Sequence, residues 1–306
     1  MSGFATIFRQ FFPSQPTWSV EDLPDQTGRV AIVTGGNTGI GKYLCEALLE
    51  KNATVYLLAR SEEKALAAIE DLKSKTNRSN IHFIRLDLAD LSTIKQTVTE
   101  FTNMEIRLDL LFNNAGVQNP PNGSKTVQGW DLQLGVNALG PILLTSLLLP
   151  TLLDTAKRHN NEGFNNVRII NTSSVAHVLL APKGGLNWED PNLGFKDANA
   201  AYGQSKFVNV AHAVHFARTY GDRGLSCHAI NPGNIQSELM RHRSWTMQVM
   251  TRPILWPIEY GTLSALWAGL SLEAGKQEQN GSYYIPWGRK GEPNPAIKDT
   301  KHVERM

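Results

Sequence analysis

Short runs of apolar residues alternate with longer amphipathic stretches along most of this chain of 306 residues. The short runs have the length of buried parallel strands, and the longer stretches repeat apolar residues at helical spacing. Seven segments fit the strand pattern, at 29–33, 53–58, 81–86, 108–112, 165–171, 225–230 and 282–286. The main predicted helices are 42–51, 62–73, 94–104, 130–155, 199–220 and 258–272. This alternation predicts an α/β fold with one doubly wound parallel sheet of seven strands and helices on both faces.

Two segments flank the alternating core, which we place at residues 28–290 as one domain. Residues 1–27 form an arm with apolar residues at helical spacing, namely Phe4, Ile7, Phe8, Phe11 and Phe12. Such a helix either lies on a membrane surface or packs on its own domain. Packing is favoured because Arg9 is the only charge that this helix offers to lipid. Residues 291–306 are expected to be a polar tail.

The composition excludes several classes of protein. The net charge of +2, without a basic run, gives nucleic-acid binding no electrostatic support. No segment approaches roughly 18 uninterrupted apolar residues, so no transmembrane helix is expected. Cys45 and Cys227 lie far apart and are interpreted as core residues, which favours a reducing, cytoplasmic location. His212 and His215 lack a paired carboxylate or cysteine, so no metal site is predicted.

A glycine-rich turn, Gly35-x-x-x-Gly39-x-Gly41, joins the first strand to the first core helix. Glycines let such a turn close and let the backbone approach a pyrophosphate, which rests on the helix N-terminus. The turn therefore predicts a dinucleotide site. With Thr34 before it, the spacing resembles the short-chain dehydrogenase/reductase family, whose fold is a single-domain Rossmann fold.

The second strand ends at Ala59-Arg60, where an NAD-binding fold usually carries a carboxylate. A guanidinium can pair with a 2′-phosphate that a carboxylate would repel, so NADP(H) is the expected cofactor. Asn37 and Thr38 are further candidate donors to that phosphate. The alternative is that Arg60 only begins the loop before the next helix.

Other motifs extend the resemblance through almost the whole chain. In the family, an Asp at the position of Asp87 reads the adenine, and an Asn-Asn-Ala-Gly motif such as 113–116 lets backbone approach the adenine ribose. A Pro-Gly turn such as 232–233 lies beside the nicotinamide. The residues that the resemblance adds to the predicted cofactor site are Ile40, Asp87, Leu88, Asn114, Ala115, Gly116, Pro232, Gly233, Ile235 and Ser237.

Tyr202 and Lys206 are four residues apart and therefore share one helix face. An ammonium about 5 Å from the phenol, at an effective dielectric near 20, favours the phenolate by roughly 3 kcal/mol. This equals about two pKa units, which brings a tyrosine into the range of a general acid or base. The resemblance makes both residues catalytic and cofactor-binding, and adds Ser174 to polarise the substrate oxygen, with Ser173 as the fallback.

Asn137 is the fourth residue that the resemblance makes catalytic, through a backbone carbonyl that holds a water. Pro141, four residues later, would free that carbonyl from its helical hydrogen bond. The long loop 175–201 resembles the retinol-dehydrogenase-like and WW-domain-oxidoreductase-like branch and its relatives in filamentous fungi. His177 in this loop is either a pocket residue or a structural histidine.

The segment 236–257 is expected to cover the substrate, with Trp245 as a candidate contact. Its methionine and aromatic content suits an apolar small molecule but equally suits helix packing. The predicted activity is NADP(H)-dependent interconversion of a ketone or aldehyde and an alcohol. The alternative is an NADP(H)-binding regulatory or interaction protein with little turnover. Peripheral membrane contact through residues 1–13 and a homodimer are further expectations.

Overall fold

Eight strands form a single sheet in the computed structural model, which describes residues 3–159, 165–236 and 255–299. In chain order they are β1 Val30–Thr34, β2 Thr54–Ala59, β3 Ile81–Arg85, β4 Leu110–Asn113, β5 Val167–Thr172, β6 Leu225–Ile230, β7 Tyr283–Ile285 and β8 Arg289–Lys290. Across the sheet the order is β3-β2-β1-β4-β5-β6-β7-β8, and β1 to β7 run parallel. The predicted parallel sheet is confirmed.

The predicted count of seven strands is too low by one. Strand β8 pairs antiparallel with β7, through Lys290 opposite Tyr284 and Arg289 opposite Ile285. Two charged residues carry no apolar alternation, so sequence reasoning had no signal for this strand.

Helices cover both faces of the sheet. Within the described ranges, the α-helices of four or more residues are α1 Gly3–Phe11, α2 Gly39–Glu50, α3 Glu62–Thr76, α4 Ile94–Met104, α6 Gly140–His159, α7 Ala176–Leu179, α8 Ala198–Tyr220 and α9 Tyr260–Leu270, and a single turn, Leu132–Leu134, is α5. One face packs on α4, α6 and α8, and the other on α2, α3 and α9. Neighbouring residues of β1 show the alternation, because Ile32 faces the first layer whereas Ala31 and Val33 face the second.

The helix predicted at 130–155 is interrupted by a wide turn. A π-helical turn, Gly135–Leu139, separates α5 from α6, and the N–H of Gly140 bonds to the carbonyl of Gly135. Pro141 follows and has no N–H to donate, so regular α-helical bonding cannot continue through this region. The wide turn contains Asn137.

The helical stretch Leu132–His159 is long and apolar enough, by length and composition, to cross a membrane. Part of this stretch packs in the protein core, where Leu144, Leu148 and Leu152 are fully buried beneath the sheet. This packing is typical of the core helix of an α/β domain.

Residues near both ends of the described part of the chain pack against the domain. Helix α1 inserts the side chain of Gln10 into the domain, where it is 1% exposed. At the other end, Ile297 is buried and Asn294 bonds to His177. Residues beyond 290 therefore contact the domain, while the boundary at 290 stays a prediction.

Candidate active site

A cleft of about 1180 Å³ opens at the carboxyl edge of the sheet. In doubly wound sheets, ligands bind at this edge where the strand order reverses, which here is between β1 and β4. The volume exceeds the roughly 300–1,000 Å³ of a pocket for a drug-sized ligand, as a dinucleotide and a substrate together require. The predicted residues that line it are Gly35, Asn37, Thr38, Gly39, Ile40, Gly41, Arg60, Asp87, Leu88, Asn114, Ala115, Gly116, Ser174, Tyr202, Lys206, Pro232, Gly233 and Ile235.

The glycine turn needs its glycines for two different reasons. Gly35 and Gly39 have φ values of +68° and +59°, which L side chains rarely adopt. A Cβ at Gly41 would collide with the carbonyl oxygen of Gly35 and lie 2.6 Å from Nδ2 of Asn114. The start of α2 therefore lies against the turn, and its first backbone N–H groups face an open cleft where an anion can bind.

Thr34 ties the glycine turn to the neighbouring strand end. Its Oγ1 accepts from the backbone N–H groups of Asn114 and Ala115, both at 3.0 Å, and its carbonyl accepts from Nδ2 of Asn114 at 3.0 Å. One buried hydroxyl thus holds the end of β4 against the end of β1. Sequence reasoning noted Thr34 only as the residue before the glycines; the signal was a polar residue at the end of an apolar strand.

Three cations line the cleft near the end of β2. Arg60 and Lys64 are exposed, whereas Lys42 pairs with Asp71 at 2.7 Å. Ser61 caps α3 by accepting from the backbone N–H of Lys64 at 3.4 Å, which places that residue in the first helical turn. Lys64 was missed from the sequence, since a lysine in a first helical turn has no distinguishing pattern.

Lys206 is buried at the inner end of the cleft and is 4% exposed. Its Nζ donates to the carbonyl of Thr172 at 2.8 Å and lies 5.7 Å from the ring centre of Tyr202. Burial lowers the pKa of Lys206 to about 7. The predicted pairing in space is present, but at neutral pH the amine carries only part of the charge that the sequence-based calculation assumed.

Asn137 lies behind the cleft wall rather than on it, and is 1% exposed. Its Oδ1 accepts from the N–H of Val117 at 2.7 Å, and its Nδ2 donates to the carbonyl of Val117 at 2.9 Å and to Oγ of Ser205 at 3.0 Å. A Cβ at Gly116 would lie 3.1 Å from Asn137 Oδ1 and 3.4 Å from Lys206 Nζ. Asn137 and Lys206 therefore flank the same glycine.

The two candidate serines have different environments. Ser173 is 1% exposed and its Oγ donates to the carbonyl of Lys206 at 2.7 Å, so its proton is already used. Ser174 is half-buried on the cleft, and its Oγ accepts from the N–H of Ala176 at 3.3 Å. A hydroxyl that accepts in this way keeps its own proton for a ligand. The geometry favours Ser174 over the fallback.

His177 is not a pocket residue. It is fully buried, with Nδ1 2.5 Å from the carbonyl of Ser174 and Nε2 accepting from the N–H of Asn294 at 3.2 Å. This arrangement requires the neutral tautomer with the proton on Nδ1, in line with burial lowering the pKa of His177 to about 4. Of the two interpretations, the structural one fits. Nearby Leu179 and Leu180, which sequence reasoning missed, line the cleft instead.

The turn after β6 completes the cleft. The N–H of Gly233 donates to Oδ1 of Asn231 at 3.0 Å, and Ile235 pairs with Trp256 in an isolated bridge. The bridge holds together the two ends of the predicted covering segment. Ser237, Trp245 and most of that segment lie outside the described residues. Within the described ranges, no group of three His, Cys, Asp or Glu side chains could hold a metal ion.

Comparisons with known proteins place the fold in a family. A short chain dehydrogenase family model matches residues 29–185. A short-chain dehydrogenase/reductase of Armillaria gallica is 46% identical over 98% of this chain and 94% of its own length. One of Phomopsis amygdali is 44% identical over 94% of this chain and 87% of its own length.

Among solved structures, the NADPH-bound carbonyl reductase from chicken fatty liver aligns with a TM-score of 0.64 at 22% identity. The alignment covers 88% of this chain and 100% of that one, and at this identity it shows a shared fold. The predicted similarity to fungal proteins is confirmed, while the retinol-dehydrogenase-like branch stays a prediction. On the family model and the fungal relatives together, the chain belongs to the short-chain dehydrogenase/reductase family.

Proposed function

We propose that this oxidoreductase interconverts a ketone or aldehyde and an alcohol on an apolar small molecule, with NADP(H) as its cofactor. One observation carries the proposal: Tyr202, Lys206 and Ser174 line the same cleft as the glycine turn. The residues fit the cofactor, because the glycine turn closes tightly against the start of α2, whose N-terminus lines the cleft: a Cβ at Gly41 would collide with the carbonyl oxygen of Gly35. When bound, the nicotinamide would supply or accept the hydride.

Each of the three side chains has a role that its position supports. Tyr202 gives a proton to the substrate oxygen during reduction and removes it during oxidation. Ser174 donates a hydrogen bond to the same oxygen and so stabilises the charge that develops there. The protonated amine of Lys206 favours the phenolate of Tyr202. A hydrogen bond to the carbonyl of Thr172 holds the amine in place.

Asn137 supports these residues from behind the wall. Its amide holds the backbone of Val117 in both directions, and so fixes the strand-end loop against which Lys206 packs. The π-helical turn and Pro141 support a further role for its carbonyl, which would hold a water leading to the lysine.

The preference for NADP(H) over NAD(H) rests on Arg60. Its exposed guanidinium lies at the end of β2, and Lys64 adds a second exposed cation to the same part of the cleft. Both charges attract a 2′-phosphate, and a guanidinium binds it with parallel hydrogen bonds.

The cleft offers apolar side chains to a substrate, among them Phe11, Leu179, Leu180 and Leu255. Leu179 and Leu180 lie at the end of the short helix α7, which begins just after Ser174. Leu179 and Leu180 are 46% and 40% exposed, so a ligand that covers them gains hydrophobic free energy. This lining supports a bulky, lipid-like, retinoid-like or secondary-metabolite substrate.

The test is a carbonyl panel followed by NADPH absorbance. Tyr202→Phe is expected to keep NADPH binding and lose turnover by a factor of about 100 or more. Tyr220→Phe on the same helix is the matched control, because Tyr220 lies at the far end of α8 against Phe216. Unchanged turnover in Tyr202→Phe would refute the mechanism. Tight NADPH binding by a wild type that turns over no carbonyl would favour the regulatory alternative.

Cofactor choice has its own test. Arg60→Asp is expected to raise the Michaelis constant for NADPH relative to that for NADH. Arg78→Asp, in an exposed loop after α3, removes the same charge away from the cleft and should leave the ratio alone. An unchanged ratio in Arg60→Asp would exclude the proposed contact.

We also propose a cytoplasmic homodimer with peripheral membrane contact through residues 1–13. The free, buried Cys45 and Cys227 support a reducing location, and Phe8 and Phe12 form an exposed aromatic pair, 53% exposed each. Size-exclusion chromatography with light scattering tests the dimer, and flotation with anionic vesicles tests the contact. A monomeric mass would reject the dimer. Protein that does not float with the vesicles would reject the membrane contact.

A further inference from the structure

Helix α1 contributes a buried glutamine to the interior of the domain. Gln10 is 1% exposed, and its Oε1 accepts from Nδ2 of Asn231 at 3.0 Å and from Oη of Tyr283 at 2.8 Å. Asn231 directly follows β6, and Tyr283 lies in β7. Neither donor is near Gln10 in sequence, so the contact joins the arm to the far end of the chain.

Asn231 connects this contact to the turn beside the predicted nicotinamide site. Its Nδ2 is held by Gln10, and its Oδ1 accepts from the N–H of Gly233. The side chain of Asn231 therefore has one end fixed by the arm and the other fixing the Pro232-Gly233 turn. Without Gln10, a buried amide donor and a buried phenol would each lose a partner, which is costly in the protein interior.

The next residue of the arm reaches the cleft itself. Phe11 lines it together with Ser174, Leu179 and Leu180, and the carbonyl of Phe11 accepts from Nδ2 of Asn234 at 3.2 Å. Two hydrogen bonds with Trp287 strengthen the attachment of the arm. The indole N–H of Trp287 donates to the carbonyl of Ser14, and the carbonyl of Trp287 accepts from the indole N–H of Trp18. Phe11 is thus part of the wall of the cleft.

We infer that the amino-terminal arm is a working part of the active site. Phe11 determines substrate specificity as an apolar wall of the cleft, and Gln10 is a positioning residue that fixes the Pro232-Gly233 turn through Asn231. The inference rests on the proposed function, since it takes this cleft to bind the substrate and the nicotinamide.

Phe11→Ala tests the wall, with Phe12→Ala as the matched control. The two phenylalanines are adjacent, but Phe12 is 53% exposed and does not line the cleft. The probes are methyl ketones from 2-butanone to 2-decanone with NADPH. Phe11→Ala is expected to lower kcat/KM for the longest ketone relative to the shortest by about tenfold, through KM. Phe12→Ala should leave this ratio unchanged.

An equal loss of kcat/KM for ketones of every length in Phe11→Ala would refute the role of Phe11 in specificity. The same change in Phe11→Ala and Phe12→Ala would refute it as well. The dissociation constant for NADPH in Phe11→Ala serves as the internal check, and it should match the wild type. A wild type that reduces none of the ketones would count against the proposed function, and the assignment of Phe11 would be withdrawn with it.

Gln10→Leu tests the positioning role without any substrate. NADPH binding, followed by its fluorescence, is expected to weaken by about tenfold, because the loss of one buried hydrogen bond typically has an effect of this size. Gln10→Glu keeps an acceptor oxygen for Asn231 and Tyr283 and should restore much of the affinity. Arg9→Leu changes an exposed neighbour and should bind like the wild type.

Wild-type affinity in a folded Gln10→Leu protein would reject the positioning role. If Gln10→Leu does not fold, Gln10→Asn decides, because it keeps an amide but shortens the side chain by one methylene and draws the oxygen away from Asn231 and Tyr283. Affinity below that of Arg9→Leu then supports the role, and equal affinity rejects it. A wild-type protein that binds no NADPH fails the proposed function instead, so the two failures are distinguishable.

Discussion

Lys206 is expected to destabilise the protein at neutral and acidic pH. The residue is 4% exposed, and burial lowers the pKa of its amine from 10.5 to about 7. In the unfolded chain the same amine stays protonated up to its ordinary pKa. The unfolded state therefore binds more protons between pH about 7 and 10.5, and stability rises with pH across this window.

The size of the effect follows from the same two values. Below pH 7 both states are protonated, and a shift of about 3.5 pKa units costs the folded state roughly 5 kcal/mol at 1.36 kcal/mol per unit. At pH 9 the remaining cost is about 2 kcal/mol, because the unfolded amine is still charged. Lys206→Met removes the cost but also removes the bond to Thr172, worth about 1 kcal/mol.

Lys206→Met should therefore exceed the wild type in free energy of unfolding by about 4 kcal/mol at pH 6 and by about 1 kcal/mol at pH 9. Urea denaturation at both pH values, without cofactor, measures the difference, and turnover of the same variant should be lost. Lys157→Met, at an exposed site on α6, is the control and should show no such trend. A Lys206→Met protein whose advantage is the same at both pH values would refute the argument.

Three further substitutions test the frame of the cleft. Gly41→Ala places a methyl against Gly35 and Asn114 and should weaken NADPH binding at least about tenfold in a fluorescence titration. Unchanged affinity would contradict a role of the closed glycine turn in cofactor binding. Thr34→Val removes the acceptor of two backbone N–H groups and should cost about 2 kcal/mol in urea denaturation, a loss that a value near zero would exclude. Asn137→Ala leaves both backbone groups of Val117 unpaired and should lower stability by roughly 2–3 kcal/mol together with turnover; normal turnover would contradict its supporting role.

Much of the fold was predictable because parallel strands and their helices leave strong periodic patterns. The apolar run of β1 is buried on both faces, and the glycine turn follows it at the expected place. Local patterns also placed Tyr202 and Lys206 on one helix face, because a spacing of four residues fixes their relative direction. These predictions depended only on contacts within one element or on a turn between two.

Contacts between distant parts of the chain were not predictable. Gln10 gave no signal as an interior residue, since glutamine is usually exposed and its partners Asn231 and Tyr283 come more than 200 residues later. His177 had two open interpretations because its partner Asn294 lies in a segment that reads as a polar tail. The pKa of Lys206 depends on burial from every side, which periodicity along one helix does not reveal.

The locally unfavourable features of this chain meet at one edge of the sheet. Lys206 is a buried amine, the turn around Asn137 departs from α-helical bonding, and Gly35 and Gly39 have positive φ values. A sequence shaped only for stability would place an apolar residue at 206 and continue the helix through 137. Deviations of this kind are expected where a site needs a particular charge or an open backbone group. Each of these features lowers the stability of the fold, and all of them lie around one cleft. Their common location therefore indicates chemistry at this cleft independently of any sequence motif.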